Sequence, residues 1–294
     1  MASSIKLAIK KLHNQVLAAL PSRTAVNFDH LIHHLQLPRL DNPVTLSEKI
    51  QHRKLYDRDP RLPELSDKIL AKEYVAKALG PDWVIPTIWF GKSLPLVSQR
   101  GWPVPYVLKA SHGSGWNIFI RTRNDEKWGE IERTTRQWLA RKYGTQVREW
   151  AYSQIEPRLL VEPYLDSVAL TPSDYKLWVF GGKVHFIQVD VDRFGDHRQY
   201  FFDRDWKRQP FEYAAPGTPE DVPPPLSLEK MILAAEVLAA TLSFVRVDLY
   251  EISGSPLFGE LTFYPTSARS RFTPRSFDAV LGQLWRLPAE VLRP

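Results

Sequence analysis

"VLKASHGSGWNIFIRT", Val107 to Thr122, sets a lysine near the end of an apolar run, follows it with a His-Gly-Ser-Gly loop and resumes with a second apolar run. A Walker-type phosphate loop runs from strand to glycine loop to helix, so that the helix N-terminus faces the phosphates. Here "WNIFIRT" stands where the helix would begin, and the β-branched and aromatic residues flanking the glycines read as a hairpin. That excludes the Walker arrangement. A glycine-rich hairpin loop can instead fold over a triphosphate with its backbone N–H groups, while Lys109 on the preceding strand supplies a point charge to the phosphate oxygens. An ordinary hairpin turn with a surface lysine fits this stretch as well, so the rest of the chain has to decide. His112 reads as a loop side chain beside the ligand rather than as a general base.

The 294 residues suffice for one large domain or two to three lobes, and 44% hydrophobic with 24% charged residues describes an ordinary folded protein. Cysteine is absent, which removes disulfides and thiolate metal sites and suits a reducing compartment. Lys6, Lys10, Lys11, His13 and Asn14 interrupt the N-terminal apolar residues, so neither a signal peptide nor a membrane span is expected, and the protein reads as cytoplasmic. A net charge of +6 favours anionic ligands, yet it is spread along the chain and decides little.

Ile5, Ile9, Leu12, Val16 and Leu20 recur at helical spacing and predict an amphipathic opening helix, packed on the protein or lying at a membrane surface. "TLSE", Thr45 to Glu48, is a capping box and predicts a helix from Leu46. A further helix is expected after Ser66, burying Leu70, Tyr74, Val75, Ala78 and Leu79 and stopping at Gly80-Pro81. After residue 80 the period changes. Strands are expected at Val84 to Phe90, Tyr106 to Ala110, Trp116 to Arg121, Leu159 to Tyr164, Tyr175 to Phe180, Val184 to Val191, Phe244 to Ile252 and Leu257 to Phe263, with helices at Glu126 to Tyr143 and Leu228 to Leu242. The six prolines between Pro210 and Pro225 predict a stiff connector. The expected organisation is α+β: a helical region over 1–80, a smaller lobe with the lysine-glycine hairpin over 81–165, and a larger lobe over 166–294.

Two segments carry chemistry. In "FVRVDLYEISGSPLFGELTFYP", strands flank Ser253-Gly254-Ser255, and symmetry about Gly254 makes partner numbers sum to 508. Asp248 then faces Glu260 and Arg246 faces Thr262. Carboxylates so placed, with Cβ atoms about 5 Å apart, repel unless a cation lies between them, and a hard divalent ion such as Mg²⁺ is the natural occupant. Neutralisation of Asp248 by Arg246 on a solvated strand is the alternative. In "SDYKLWVFGGKVHFIQVDVDR", Asp174 and Lys176 share one side of a strand and suit a ribose hydroxyl and a phosphate, or merely each other. "RLLVEPYLD" leaves its strand at Glu162-Pro163, where free backbone groups can meet an adenine edge.

The order "SDK" at Ser66, "VLKASHGSG" at Val107, "VEPYL" at Val161, "SDYKLWVFGGK" at Ser173, "VRVDLY" at Val245 and "FGELTFYP" at Phe258 resembles the ATP-grasp superfamily, and most closely the TupA-like ATP-grasp proteins of surface-polysaccharide biosynthesis. The resemblance implies two lobes whose antiparallel sheets sandwich ATP. It implies that Lys109 grasps the phosphates under a lid of Gly113, Ser114 and Gly115. It assigns adenine to the backbone around Glu162, Tyr164 and Leu165, ribose to Asp174, and phosphates to Lys176 with Lys68 and Arg193. Magnesium falls to Asp248 and Glu260, and a reacting acyl phosphate to Arg246. Many ATP-grasp enzymes carry Asn where this chain has Thr262, whose hydroxyl can still ligate Mg²⁺. The implied activity is an ATP-dependent carboxylate-amine ligase joining an amino acid to an acidic or amino sugar. A sugar kinase and a non-catalytic binder of anionic polymers are the rivals. Arg269 and Arg271, in "TSARSRFTP", are candidates for meeting an anionic substrate.

Overall fold

Helix ends in the first eighty residues follow their capping chemistry. The computed structural model describes residues 12–165, 174–191, 197–217, 222–289 and 291. Helix α1 covers 12–19 of the expected opening helix, with Ile5 and Ile9 outside the described residues. Its packed side differs from the expected stripe: Leu12 and Val16 are 62% and 36% exposed, whereas Leu17 is fully buried. After α2 (Ser22–His34), α3 (Leu46–Tyr56) starts at the capping box, in which the Thr45 hydroxyl accepts from the Glu48 N–H and the Glu48 carboxylate accepts from the Thr45 N–H. Helix α4 (Arg61–Ser66) leads into α5 (Lys68–Leu79), capped by Asp67 accepting from the Ile69 N–H at 2.8 Å and ended by Gly80 at φ +104°. Helix α5 buries Ile69, Ala71 and Val75; Ala78, expected inside, is exposed.

The smaller sheet contains β1 (Trp89–Gly91), β2 (Tyr106–Ala110), β3 (Asn117–Ile120) and β4 (Leu159–Pro163) in the order β1-β4-β2-β3, all antiparallel. Of the strand expected from Val84, only its end joins the ladder. Pro86 offers no N–H, and Val84 makes one isolated bridge, to Phe258. Helix α6 (Trp128–Leu139) places Ile131 and Trp138 against Tyr106, Leu108 and Val161 in a core of its own. Helix α7 (Trp150–Gln154) precedes β4.

The larger sheet is built from β5 (Asp174–Phe180), β6 (Lys183–Val191), β7 (Arg198–Phe202), β9 (Phe244–Ile252) and β10 (Ser255–Thr262), in the order β10-β9-β5-β6-β7. Between them, β8 (Glu212–Tyr213), within the proline-rich segment, pairs with β11 (Phe272–Thr273). Helix α8 (Leu228–Ala239) packs on β5, β6 and β9, and α9 (Ser276–Leu284) packs on α3. Leu177, Val179, Val247 and Leu249 join Met231, Ala235 and Leu238 in one core, to which Leu46, Ile50, Leu65 and Val75 of α3–α5 also belong. Helices α3–α5 therefore lean on the larger sheet for burial.

The last ribbon reaches the expected pairing by an unexpected route. Ser253 (φ 51°) and Gly254 (φ 74°) make a two-residue turn with both angles positive, so Ser255 pairs with Ile252 and Phe258 with Leu249, one step off the symmetric register. A β-bulge at Gly259 then shifts the ladder, and Glu260 pairs with Asp248 and Thr262 with Arg246. Without the bulge Glu260 would lie on the side of Leu249, in the core. Glycine fits here because a Cβ would come within 3.0 Å of the Asp248 carbonyl oxygen and 3.1 Å of the Tyr250 ring.

Candidate active site

Cross-strand pairing assembles one polar row on the larger sheet. Glu260 lies opposite Asp248, Asp248 opposite Lys176, and Lys176 opposite Gln188. One step along, Asp174 lies opposite Asp190. Lys176 Nζ bonds Asp174, lies 3.1 Å from Asp190 Oδ2 and 3.8 Å from Asp248 Oδ2. The Arg246 guanidinium grips Asp248 with both prongs, at 2.7 and 2.6 Å, and its Nη2 stands 3.1 Å from Thr262 Oγ1 and 3.8 Å from Glu260 Oε1. Thr262 donates its hydroxyl to Glu260 Oε1 at 3.0 Å. Asp248 and Glu260 therefore occupy one side, with the Arg246 guanidinium reaching both and the Thr262 hydroxyl bonded to Glu260.

The alternative weighed from sequence is half present: Arg246 does neutralise Asp248, but in a buried setting rather than on a solvated strand. Among the described residues, Arg246 and Lys176 stand among four carboxylates, Asp174, Asp190, Asp248 and Glu260, with His197 Nε2 3.7 Å from Asp190. Burial pushes Asp248 up to about 6, against the pull of Arg246 and Lys176. Burial lowers the proton affinity of Lys176, yet Asp248, Asp174 and Asp190 outweigh it and the ammonium titrates above its ordinary range. Glu260 keeps its side chain about a third exposed. Facing carboxylates with a hydroxyl beside one of them are hard oxygen donors that suit a divalent ion, and the residues present fit Mg²⁺ with Asp248, Glu260 and Thr262 as its holders.

The smaller sheet supplies ammonium groups. Lys109, on β2, lies 2.5 Å from Glu162 Oε2 on β4, while Lys72 of α5 lies 2.6 Å from Glu162 Oε1 and donates to Thr87 at 2.6 Å. Lys68, at the start of α5, donates to the Gly113 carbonyl oxygen at 2.5 Å. Burial depresses the proton affinity of Lys68, with Glu260 the leading opposing influence and Lys109 adding to the depression. Lys68 thus senses the charges of both sheets. In the glycine loop, Gly115 takes φ +72°, and a Cβ on Gly113 would collide with the Trp116 ring at 2.8 Å. Ser114 and Gly115 are exposed.

Three expectations change. His112 is fully buried, bonded to the Trp138 carbonyl oxygen at 3.1 Å and edge-on to Trp116, so it anchors the loop from beneath instead of facing a ligand. The Tyr164 N–H, expected to be open to adenine, is donated to the Pro105 carbonyl oxygen at 3.0 Å; Leu165 closes that described stretch. Arg269 is spent on Asp29, which accepts from it at 3.0 and 2.9 Å. Arg193 lies outside the described residues. Asp190 and Lys72 are the residues that sequence reading passed over. Asp190 was within reach of the hairpin arithmetic about Gly181-Gly182, apart from the one-residue bulge after Trp178 that puts it opposite Asp174.

Among the described residues no helix is long and apolar enough to cross a membrane. No curated protein matches the chain in sequence. Among solved structures, a D-alanine–D-alanine ligase from Bacillus anthracis is similar over 74% of this chain and 62% of its own, at 17% identity and a TM-score of 0.45. A D-alanine–D-alanine ligase from Helicobacter pylori matches over 76% and 61%, at 15% identity and a TM-score of 0.40. The ATP-grasp ligase PsnB with its minimal precursor matches over 69% and 54%, at 14% identity and a TM-score of 0.39. The chain thus spans 62% or less of the length of these proteins, and likeness this partial says nothing of activity. The family model for TupA-like ATP-grasp proteins matches residues 48–286, far more than half of the sequence, and takes in the hairpin, both sheets and the acidic ribbon. The chain belongs to the TupA-like ATP-grasp family.

Proposed function

We propose that the protein is an ATP-dependent carboxylate-amine ligase that works through an acyl phosphate and joins an amino acid to an acidic sugar unit of a surface polysaccharide. One observation carries this reading: Lys68, at the start of α5, bonds the Gly113 carbonyl oxygen of the glycine loop at 2.5 Å while α5 packs on β10, the strand of Glu260, which supports ammonium groups and carboxylates addressing one nucleotide. Lys109 and Lys176 draw the phosphate oxygens, and the loop at Gly113 to Gly115 covers them. ATP supplies the phosphoryl group, and Mg²⁺, which Asp248, Glu260 and Thr262 would hold, would supply charge neutralisation for its transfer.

The substrate carboxylate oxygen attacks the γ-phosphorus as the bond to the β-phosphate oxygen breaks and ADP leaves. The amine nitrogen then attacks the acyl carbon, the carbon–oxygen bond to phosphate breaks, and phosphate departs with the electron pair while the nitrogen gives up its proton. Arg246, buried beside Asp248 and Thr262, would steady the carboxylate as it becomes acyl phosphate. Closure of the loop excludes water, which would otherwise hydrolyse that species. Hydroxylamine trapping tests the reading. With uronic acids, ATP and Mg²⁺, a ligase accumulates a hydroxamate of its acid substrate together with ADP. ADP release accompanied by a phosphorylated hydroxyl and no hydroxamate would establish a kinase instead.

A further inference from the structure

A pocket of about 270 Å³ opens between the segment joining α2 to α3 and the strap that runs from β11 into α9. Arg39 flanks it from the first segment, Arg271 and Arg275 from the second. One carboxylate, Asp278, also lines it, but both of its oxygens are engaged, by the Ser47 N–H at 2.9 Å and the Ser47 hydroxyl at 2.5 Å. Arg39 is shared with Glu48, and Arg271 uses its Nε on the His33 carbonyl oxygen. Arg275 makes no ion pair among the described residues. The wall therefore offers guanidinium donors in excess of its anions, beside the Phe272 ring and the Gln36 amide. Guanidinium forks match the planar oxygens of carboxylates and phosphates, while an aromatic ring and an amide suit a sugar ring and its hydroxyls.

The strap that forms the pocket is the continuation of the acidic ribbon. Beyond Thr262 and Tyr264, Thr266, Ser267 and Ala268 take φ of 47°, 57° and 56°, a left-handed run without glycine. Non-glycine residues in this region are strained and persist only where neighbours over-determine them. Tyr213 meets Thr266 Oγ1 at 2.5 Å, Lys54 donates to the Ser267 carbonyl oxygen at 2.8 Å, and His34, itself a pocket residue, meets the Ala268 carbonyl oxygen at 2.8 Å. The pocket and the metal-binding ribbon are thus tied to one rigid piece of chain.

We propose that this pocket is a docking subsite for the anionic group of an acidic sugar, a carboxylate or a phosphate held by Arg271 and Arg275, separate from the nucleotide cleft. The inference rests on the ligase reading for why a saccharide should dock here, but its test requires no turnover. Calorimetric titrations of the intact protein use D-glucuronate, glucose 6-phosphate and D-glucose, with saturating ADP occupying the phosphate-binding lysines. At least one of the two acids should bind and D-glucose should not, and the tighter acid names the anion. R275Q, at an exposed position, and R271Q should each weaken that binding about tenfold, as the loss of one charge-assisted hydrogen bond requires, with ADP affinity and the melting temperature of R275Q unchanged. Acids that bind no better than D-glucose, or as tightly to R275Q as to the unaltered protein, would overturn the subsite. Failure of the hydroxamate experiment with acid binding intact would overturn only the ligase reading.

Discussion

Replacing Glu162 by Gln separates what the smaller sheet needs for folding from what it needs for nucleotide. Glu162 is 4% exposed, and its carboxylate stands 2.6 Å from Lys72 and 2.5 Å from Lys109, which hold its proton affinity down in spite of burial. Removing one partner of a fully buried ion pair costs about 3–5 kcal/mol. Here the side chains of Lys72 and Lys109 are 11% and 23% exposed, so water offsets part of the loss and about 2 kcal/mol is the expected cost. At roughly 2–4 °C per kcal/mol for a chain of this size class, the melting temperature should fall by about 4–8 °C. Nucleotide should behave oppositely. In the unaltered protein a phosphate competes with Glu162 for Lys109, and in E162Q it does not. ADP should therefore bind E162Q at least as tightly, and should raise its melting temperature at least as far as it raises that of the unaltered protein. Differential scanning fluorimetry with and without ADP, backed by titration calorimetry, reads both effects. An unchanged melting temperature would refute the pairing energy, and a loss of ADP binding would refute the idea that Lys109 acts through phosphate.

Asp248 titrates up to about 6, above its ordinary 3.8, so between those values the folded chain holds a proton that the unfolded chain has released. Stability contributed by this group is full below about pH 4 and declines as pH rises towards 6; Mg²⁺ affinity runs the other way, falling about tenfold per pH unit below 6 as the proton competes, which calorimetry from pH 5 to 8 would detect. Arg53, buried under Trp285 with its guanidinium carbon 4.2 Å from the ring centroid, pairs with Asp57 at 3.2 Å, and D57A should cost about 3 kcal/mol in urea unfolding. G259V, which forces a branched side chain against the Asp248 carbonyl oxygen, should destabilise by about 1–3 kcal/mol and weaken Mg²⁺ binding more than ADP binding; equal losses in both would contradict the role given to the bulge.

Much of this site was legible in the sequence wherever alternation alone decides sidedness. Tyr106–Ala110 and Phe244–Ile252 begin and end as their apolar period requires, and the capping box at Thr45 fixed the start of α3. Asp248 and Glu260 do face each other, although the arithmetic that paired them began from the wrong turn and was restored by a bulge that pattern reading does not register. Position relative to distant chain was not legible. His112 is buried because Trp116 and Trp138 close around it, and Leu17 rather than Leu12 is inside because of what α1 packs against, contacts that local periodicity cannot contain. Asp190 escaped notice because its chemistry depends on Lys176 from the neighbouring strand.

The central claim is a divalent ion held by the last ribbon while lysines of the other sheet hold the same nucleotide. Titration of a non-hydrolysable ATP analogue tests it directly, into the unaltered protein and into E260Q, with Mg²⁺ and with EDTA. Chelation should weaken binding to the unaltered protein at least tenfold and have little further effect on E260Q, whose affinity is already low. Equal affinity in Mg²⁺ and EDTA, or an E260Q variant that responds to Mg²⁺ as the unaltered protein does, would contradict it.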